Sequence, residues 1–352
     1  MSHVICEKTA APVIKGYSPN IMVHPILPSS ATVSNPSSID LPSLASPIID
    51  MLSRLHVLVI GPGLGRDEVT QKVVAEVMKE ARARAVPFVL DADALLLVTQ
   101  QPDLVRGYKQ CILTPNVVEF GRLAKALGVD LPKTTTLATT TNTAGGSEIA
   151  GRRRIKGEDN NQILGKKEQE QVDKNAASST CKKLANALGG VTIIQKGQRD
   201  VISNGITSLI SDIQGGLKRS GGQGDTLTGC LGTFLAWRVA YHDHLWPTSG
   251  MGGGEEDQVD QEEEEAEETE NAGKDVQSKE DIQAEIEDPK RRMSPTTTLL
   301  LAAYAGSALT RDCSRRAFRV KGRSLQASDL TDEVHTSFLD LFGEPEGDGS
   351  KL

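Results

Sequence analysis

Aromatic residues are scarce in this chain of 352 residues: phenylalanine, tryptophan and tyrosine together make up 3% of it. The core must then be aliphatic and alanine-rich, within a total apolar content of 38%. No run reaches the roughly 18 apolar residues of a membrane span, so no membrane partner is expected. The five cysteines (Cys6, Cys111, Cys181, Cys230 and Cys313) contain no CxxC pair. That spacing argues against a zinc site and against a disulfide framework. No dense Lys/Arg stripe with interleaved aromatics occurs, so nucleic acid is not an expected partner. No GxxxxGK[ST] run occurs either, which excludes a Walker loop. The opening MSHVICEK has no basic region followed by a long apolar stretch, so a reducing, cytoplasmic compartment is expected.

Charge is unevenly spread. The net charge is −8, yet residues 255–288 alone hold 17 acids and 2 lysines. The rest of the chain is mildly basic, which suits a nucleotide-phosphate ligand without demanding one.

What is present is a rhythm of short β-branched runs and helical stretches. Strands are expected at His3–Cys6, Ile21–His24, His56–Ile60, Pro87–Asp91, Gln110–Leu113, Val191–Gln195 and Val201–Ser203. The middle ones are continuously apolar, as parallel strands covered on both faces should be. Asp67–Arg82 places apolar residues at 69, 73, 74, 77, 78 and 81, which is helical spacing. Asn116–Leu127 and Thr180–Leu188 read similarly, and helices are expected at Thr298–Arg315 and Ser328–Leu341. This alternation predicts an α/β fold: a doubly wound, mainly parallel sheet with helices on both faces. Ligands in such folds bind outside the carboxyl ends of the strands. Residues 132–172 (polar, threonine-rich) and 248–294 (glycine-rich, then acidic) break the rhythm. Neither can bury enough apolar area to offset chain entropy, so both are expected to be disordered insertions in a single domain over 1–342. Residues 343–352 are expected to be a flexible tail.

The densest chemistry lies in GGLKRSGGQGDTLTG, Gly215 to Gly229, directly ahead of an apolar helix. Glycines before a helix leave backbone N–H groups bare, and the helix start adds partial positive charge. Lys218 and Arg219 add cations where phosphate oxygens would lie. Asp225 sits at the mouth, where a carboxylate could take a proton from an attacking hydroxyl. The plain alternative is a tight turn with an acidic N-cap.

Four further motifs follow strands. Gly61-Pro62-Gly63-Leu64-Gly65-Arg66-Asp67 is a strand, glycine turn and helix, though its spacing is GxGxG rather than GxGxxG. Asp91 and Asp93 end a buried strand, where two acids could serve a metal through water or hydrogen-bond a loop. Thr114-Pro115-Asn116 with Glu119 reads as a capping box; the same two side chains could also face a ligand and Mg²⁺. Gln195-Lys196-Gly197-Gln198-Arg199-Asp200 offers a lysine that could reach a phosphate, or simply a hairpin turn into Val201.

In combination, GPGLGRD, LDADAL, LTPNxxEF, QKGQRD and GGxxRxGGQGD resemble the ATP-dependent NAD(P)H-hydrate dehydratases of the ribokinase-like superfamily. The likeness covers most of residues 1–131, 173–247 and 295–342. It implies an enzyme that restores NADH or NADPH from the hydrates NADHX or NADPHX while consuming ATP, with Mg²⁺ as cofactor. Asp225 would be the base, and the amides of Gly222 to Gly224 would bind developing charge. ATP would be held by Lys196, Gly197, Gln198, Arg199 and Asp200, and by Gly215, Gly216, Leu217, Lys218, Arg219, Ser220, Gly221, Gly222, Gln223 and Gly224. Gly63, Asn116, Val117, Val118, Glu119, Phe120, Gly121 and Arg122 would line the hydrate pocket beside Asp225, and Glu119 would serve Mg²⁺. A homo-oligomer is compatible with the resemblance. The family's pattern usually opens with a strand, a glycine-rich Tyr-Thr-Gly-Ala-type turn and a helix; here SHVICE resembles its second strand, so part of the pocket is expected to be lost and a sheet edge exposed. The rival readings are another ribokinase-like small-molecule kinase and a catalytically silent nucleotide-binding form.

Overall fold

Short runs of Val, Ile, Leu and Phe with no polar face make the centre of this molecule. In the computed structural model, residues 1–33, 40–131, 160–243, 245, 279–288 and 292–343 are described. The first two strands, β1 (Ser2–Ile5) and β2 (Ile21–His24), pair in parallel around α1 (Ala11–Tyr17), with Ser2 opposite Ile21. They form a two-stranded sheet of their own. The main sheet holds β3 (Leu58–Ile60), β4 (Phe88–Leu90), β5 (Cys111–Leu113), β6 (Thr192–Gln195), β7 (Asp200–Ser203) and β8 (Ser208–Ser211), in that spatial order. Strands β3 to β6 run parallel, with Leu58 opposite Phe88 and Phe88 opposite Cys111. The Lys196–Arg199 turn is too short for a crossover, so β7 returns antiparallel, and β8 follows it. β3 is one edge of the sheet, and Val59 on it is half-exposed.

Side chains alternate between two cores. Phe88, Leu90, Cys111, Leu113 and Ile193 face the core built with α2 (Leu41–Ile49), α3 (Glu68–Ala83), α4 (Asp93–Gln100), α5 (Val117–Ala126) and α6 (Asn160–Ala187). Val89, Ile112, Ile194 and Ile202 face the other core. It is closed by α7 (Gln223–His242), α8 (Lys279–Glu287) and α9 (Pro295–Lys321). Helices thus cover both faces, as the sequence pattern requires. Two short helices, α10 (Ala327–Asp332) and α11 (Val334–Phe342), pack on α7 and α9. They replace the single helix expected over 328–341, because the chain turns at Glu333, whose N–H donates to the carbonyl of Leu330 at 3.2 Å.

The expected insertions are corrected where they are described. Residues 160–172 belong to α6. Residues 279–287 form α8, whose Ile282 is 2% exposed and joins the core with Leu299 and Leu300. Glu285 in the same helix is buried and accepts from the N–H of Ser294 at 3.0 Å. One apolar and one hydrogen-bonding side chain, a turn apart, suffice to dock an otherwise acidic segment. Residues 132–159, 248–278, 289–291 and 344–352 lie outside the described residues. No described helix is long and apolar enough to cross a membrane.

Candidate active site

The carboxyl ends of β3 to β6 bring together motifs that are far apart in the chain. Asp91 follows β4 and Lys196 follows β6, and Lys196 Nζ donates to Asp91 Oδ1 at 2.6 Å. Asn116, after β5, forms an isolated parallel bridge with Lys196, and the N–H of Lys196 donates to the carbonyl of Pro115 at 2.8 Å. The two acids of LDADAL therefore divide their work. Asp91 holds a lysine, and Asp93 holds the glycine loop after β3: it accepts from Gly65 N–H at 3.1 Å and from Arg66 Nε at 3.0 Å.

The start of α7 completes the edge. Its N-cap is Gly222, at φ 90°, a left-handed conformation that a side chain would strain. A Cβ there would also lie 2.8 Å from Ala327 Cβ. Glycine has no side chain to cap with, and first-turn amides have no partner inside a helix. Anions are favoured at such a terminus by the amides and the helix dipole together. Gly224 sits against the ion pair: a Cβ at that position would be 2.9 Å from Asp91 Oδ2 and 3.6 Å from Lys196 Nζ. Asp225 follows on the rim. Its carboxyl is raised above the usual aspartate range by partial loss of solvent and then by the Asp91 carboxylate, with the Lys196 ammonium pulling the other way.

The remaining predicted residues fall into three groups. Gly63 lies on the open loop after β3, with nothing within reach of a Cβ. Val117 and Val118 are exposed at the start of α5, Arg122 is exposed one turn on, and Gly121 faces open space. Gly215, Gly216, Leu217, Lys218, Arg219, Ser220 and Gly221 wind along the loop before α7, and Gln223, the first residue of α7, donates from Nε2 to the carbonyl of Lys218 at 3.2 Å. Lys218 Nζ donates to the carbonyl of Leu325 at 2.7 Å. Beside this loop a cleft of about 430 Å³ is lined by Leu217, Lys218, Phe318 and Arg323.

Three side chains are turned to structural work. Phe120 is 2% exposed and belongs to the core with Leu123 and Ala124, so its ring lines no pocket. Glu119 completes a capping box: its Oε2 accepts from Asn116 N–H at 2.9 Å while Asn116 Oδ1 accepts from the amides of Val118 and Glu119. Asp200 is buried, and its carboxylate accepts from Gly197 N–H at 3.0 Å, Ser307 Oγ at 2.7 Å and Arg311 Nη1 at 3.1 Å. Arg311 itself was absent from the expected site. Its guanidinium gathers the carbonyls of Ile213, Gly197 and Gln198. It fixes the QKGQRD turn against the glycine loop from the middle of α9. Nothing local to an Ala/Leu-rich helix marks that arginine. Phe318 on the same helix and Arg323 just beyond it line the cleft and carry no local signal either.

Among the described residues no three His, Cys, Asp or Glu side chains converge on a cation. Mg²⁺ in nucleotide sites usually needs only one or two carboxylates, because phosphates and waters supply the other ligands. The residues present fit that mode, with Glu119 Oε1 as the oxygen not engaged in the capping box.

Residues 1–149 and 161–263 match the family described as NAD(P)H-hydrate dehydratase. The chain belongs to the NAD(P)H-hydrate dehydratase family. It is 62% identical over 347 residues to an ATP-dependent (S)-NAD(P)H-hydrate dehydratase of Emericella nidulans, covering 99% of this chain and 81% of that one. The protein of the same name from Aspergillus fumigatus is 60% identical over 351 residues, covering 100% and 83%. The one from Bos taurus is 34% identical over 343 residues, covering 97% and 74%. Among solved structures, a ribokinase-like superfamily protein of Enterococcus faecalis aligns with a TM-score of 0.53 at 16% identity, covering 98% of this chain and 78% of that chain. A protein of Streptococcus mutans aligns at 0.54 and 14%, covering 97% and 80%. These likenesses establish the ribokinase-like fold of this dehydratase-family member. The shared fold places the glycine loop, the Lys196 turn and the α5 start around one sheet edge.

Proposed function

We propose that this chain carries out ATP-dependent dehydration of the S-epimers of NADHX and NADPHX, returning NADH and NADPH. The observation that carries the reading is Asp225, a carboxylate of raised proton affinity beside the bare amides of an uncapped helix and a fixed lysine. A base must sit next to the place where charge develops, and here both are set by one turn of α7.

Asp225 takes the proton from the hydroxyl on carbon 6 of the hydrated nicotinamide ring. That oxygen attacks the terminal phosphorus of ATP, and the bond to the β,γ-bridging oxygen breaks to release ADP. The ring nitrogen's electron pair then expels the phosphate from carbon 6 as inorganic phosphate, leaving an iminium. Loss of the proton from carbon 5 restores the ring double bond. The amides of Gly222, Gln223 and Gly224 stabilise the phosphoryl oxygens during transfer, and Lys196 neutralises charge below them. Bound Mg²⁺ would offset the negative charge of the triphosphate, with Glu119 as its nearest expected protein contact. The exposed pair Val117 and Val118 offers apolar cover for the hydrate, with Gly63, Gly121 and Arg122 around it. The cleft between Leu217 and Phe318 suits the nucleotide's base, with Lys218 and Arg323 at its edge. One ribokinase-like domain over 1–342 would carry the whole site.

The test is optical. NADHX lacks the absorbance of the reduced ring, so the purified chain with ATP and Mg²⁺ should restore that absorbance with one ADP formed per ring. ATP bound tightly with no recovery would leave a nucleotide-binding protein and refute the reading. ATP consumed with a vitamin precursor such as hydroxymethylpyrimidine, but not with the hydrate, would favour a kinase.

A further inference from the structure

Asp91 has no role in the chemistry above, yet it is a buried acid at the site. It is 4% exposed. A carboxylate that far from water needs a partner, and Lys196 Nζ supplies one at 2.6 Å. Its backbone is held with equal care. The carbonyl of Asp91 is so close to Gly61 that a Cβ on that glycine would lie 1.8 Å from it. The next residue, Ala92, adopts φ 47° and ψ −119°, where a side chain is disfavoured. Such strain persists only where the surroundings over-determine it, and it clusters at working sites.

Asp225 stands next to the Asp91–Lys196 pair: it follows Gly224, where a Cβ would lie 2.9 Å from Asp91 Oδ2 and 3.6 Å from Lys196 Nζ. The elements packed on α7 add little charge there. β3 contributes no charged side chain. On α9, Arg311 pairs with Asp200, and Arg315 and Arg316 pair with Asp312, while Arg319 is exposed. On α10, Asp329 pairs with Lys321. Lys196 therefore has two carboxylates within its reach. A lysine stem is flexible, and an ammonium released from Asp91 would fall to Asp225, masking the proposed base.

We propose that Asp91 is a positioning residue that holds the Lys196 ammonium under Gly224, at the floor of the phosphoryl cradle and off the Asp225 carboxylate. The role rests on the phosphoryl-transfer reading, but the position of the ammonium can be read apart from turnover.

The experiment compares wild type, Asp91→Asn, Lys196→Met and the double variant, with ATP affinity measured by calorimetry in Mg²⁺ and hydrate turnover measured optically. Lys196→Met should weaken ATP about tenfold or more, as expected for a lost phosphate cation. Asp91→Asn should keep ATP affinity within about threefold and lose about 10- to 100-fold in kcat, as for a misplaced catalytic group. The double variant should be no worse than Lys196→Met, because a residue that acts only through another adds no loss once that other is gone, and Asp91→Asn removes the unpaired buried carboxylate that Lys196→Met leaves. Additive losses in the double variant, or an Asp91→Asn kcat within twofold of wild type, would overturn the proposal. Should Asp91→Asn fail to melt cooperatively, Asp91→Glu decides. Its extra methylene displaces the ammonium by about 1 Å, so kcat should fall about tenfold or more at unchanged ATP affinity; an unchanged kcat overturns it. If wild type binds ATP but repairs no hydrate, the functional reading fails separately. A crystal structure of Asp91→Asn then still judges Asp91: a Lys196 ammonium moved onto the Asp225 carboxylate supports the proposal, and one still under Gly224 overturns it.

Discussion

Replacing Gly224 by alanine is predicted to separate catalysis from stability. Gly224 lies in the first turn of α7 with an ordinary helical backbone, so the added methyl costs no backbone strain. Glycine to alanine within a helix gains about 1 kcal/mol from propensity. Against this, the new Cβ would stand 2.9 Å from Asp91 Oδ2, where ordinary contact begins at 3.4 Å. About half an ångström must be found. Asp91 cannot yield it cheaply, since it is buried and tied to Lys196 at 2.6 Å. The start of α7 must then lift, or the pair must part. Overpacking of this kind costs about 1–3 kcal/mol. The net change in stability is a loss of no more than about 2 kcal/mol, or about 3 °C in Tm for a domain of this size. The shift falls, however, on the amides beside Asp225, where a displacement of this order costs about 10- to 100-fold in rate. Calorimetric melting and the optical hydrate assay read the two quantities independently. A variant with wild-type kcat would refute the reasoning, because the amides of Gly222 to Gly224 would then tolerate a displacement that the transferring phosphoryl group should feel.

Asp225→Asn should lose about 10²–10⁴-fold in kcat while still binding ATP; a near-normal rate would remove Asp225 as the base. The pH profile of kcat/KM should carry an acid limb above the ordinary aspartate value of about 3.9. The sign follows from the environment: partial burial and Asp91 raise the proton affinity of Asp225, and a base must be ionised, so activity falls as pH drops through that raised value. A limb at or below the ordinary value counts against this. Ile282→Ala should cost about 2–5 kcal/mol in urea unfolding, as for other buried aliphatic truncations; no loss would mean that α8 does not contribute to the core.

The fold was legible wherever the physics was local. FVL, CIL and VTII are apolar throughout because both faces of their strands are covered, VLVI keeps the pattern at the sheet edge with Val59 exposed, and each motif that follows them marks a strand's carboxyl end. The capping box at Asn116 and Glu119 was legible for the same reason, being complete within four residues. Strand β8 was missed although its signal is present: Asn204-Gly205 between DVIS and SLIS is a hairpin cue. What could not be read was pairing across the chain. Asp91 and Lys196 are 105 positions apart, and Arg311 reaches back 114 positions to Gly197. Only the sheet order brings those partners together. Composition misjudged α8, because a docked segment needs only one turn of its helix to carry an Ile282 and a Glu285.

Arg311 has a consequence for how a ligand would be received. One guanidinium, planted mid-helix, ties down three carbonyls and a buried acid drawn from two separate loops. Those loops reach the solvent already shaped, so an incoming triphosphate meets a mould rather than a tangle. Little ordering is left to do on arrival, and more of the contact energy stays available for discriminating one nucleotide from another.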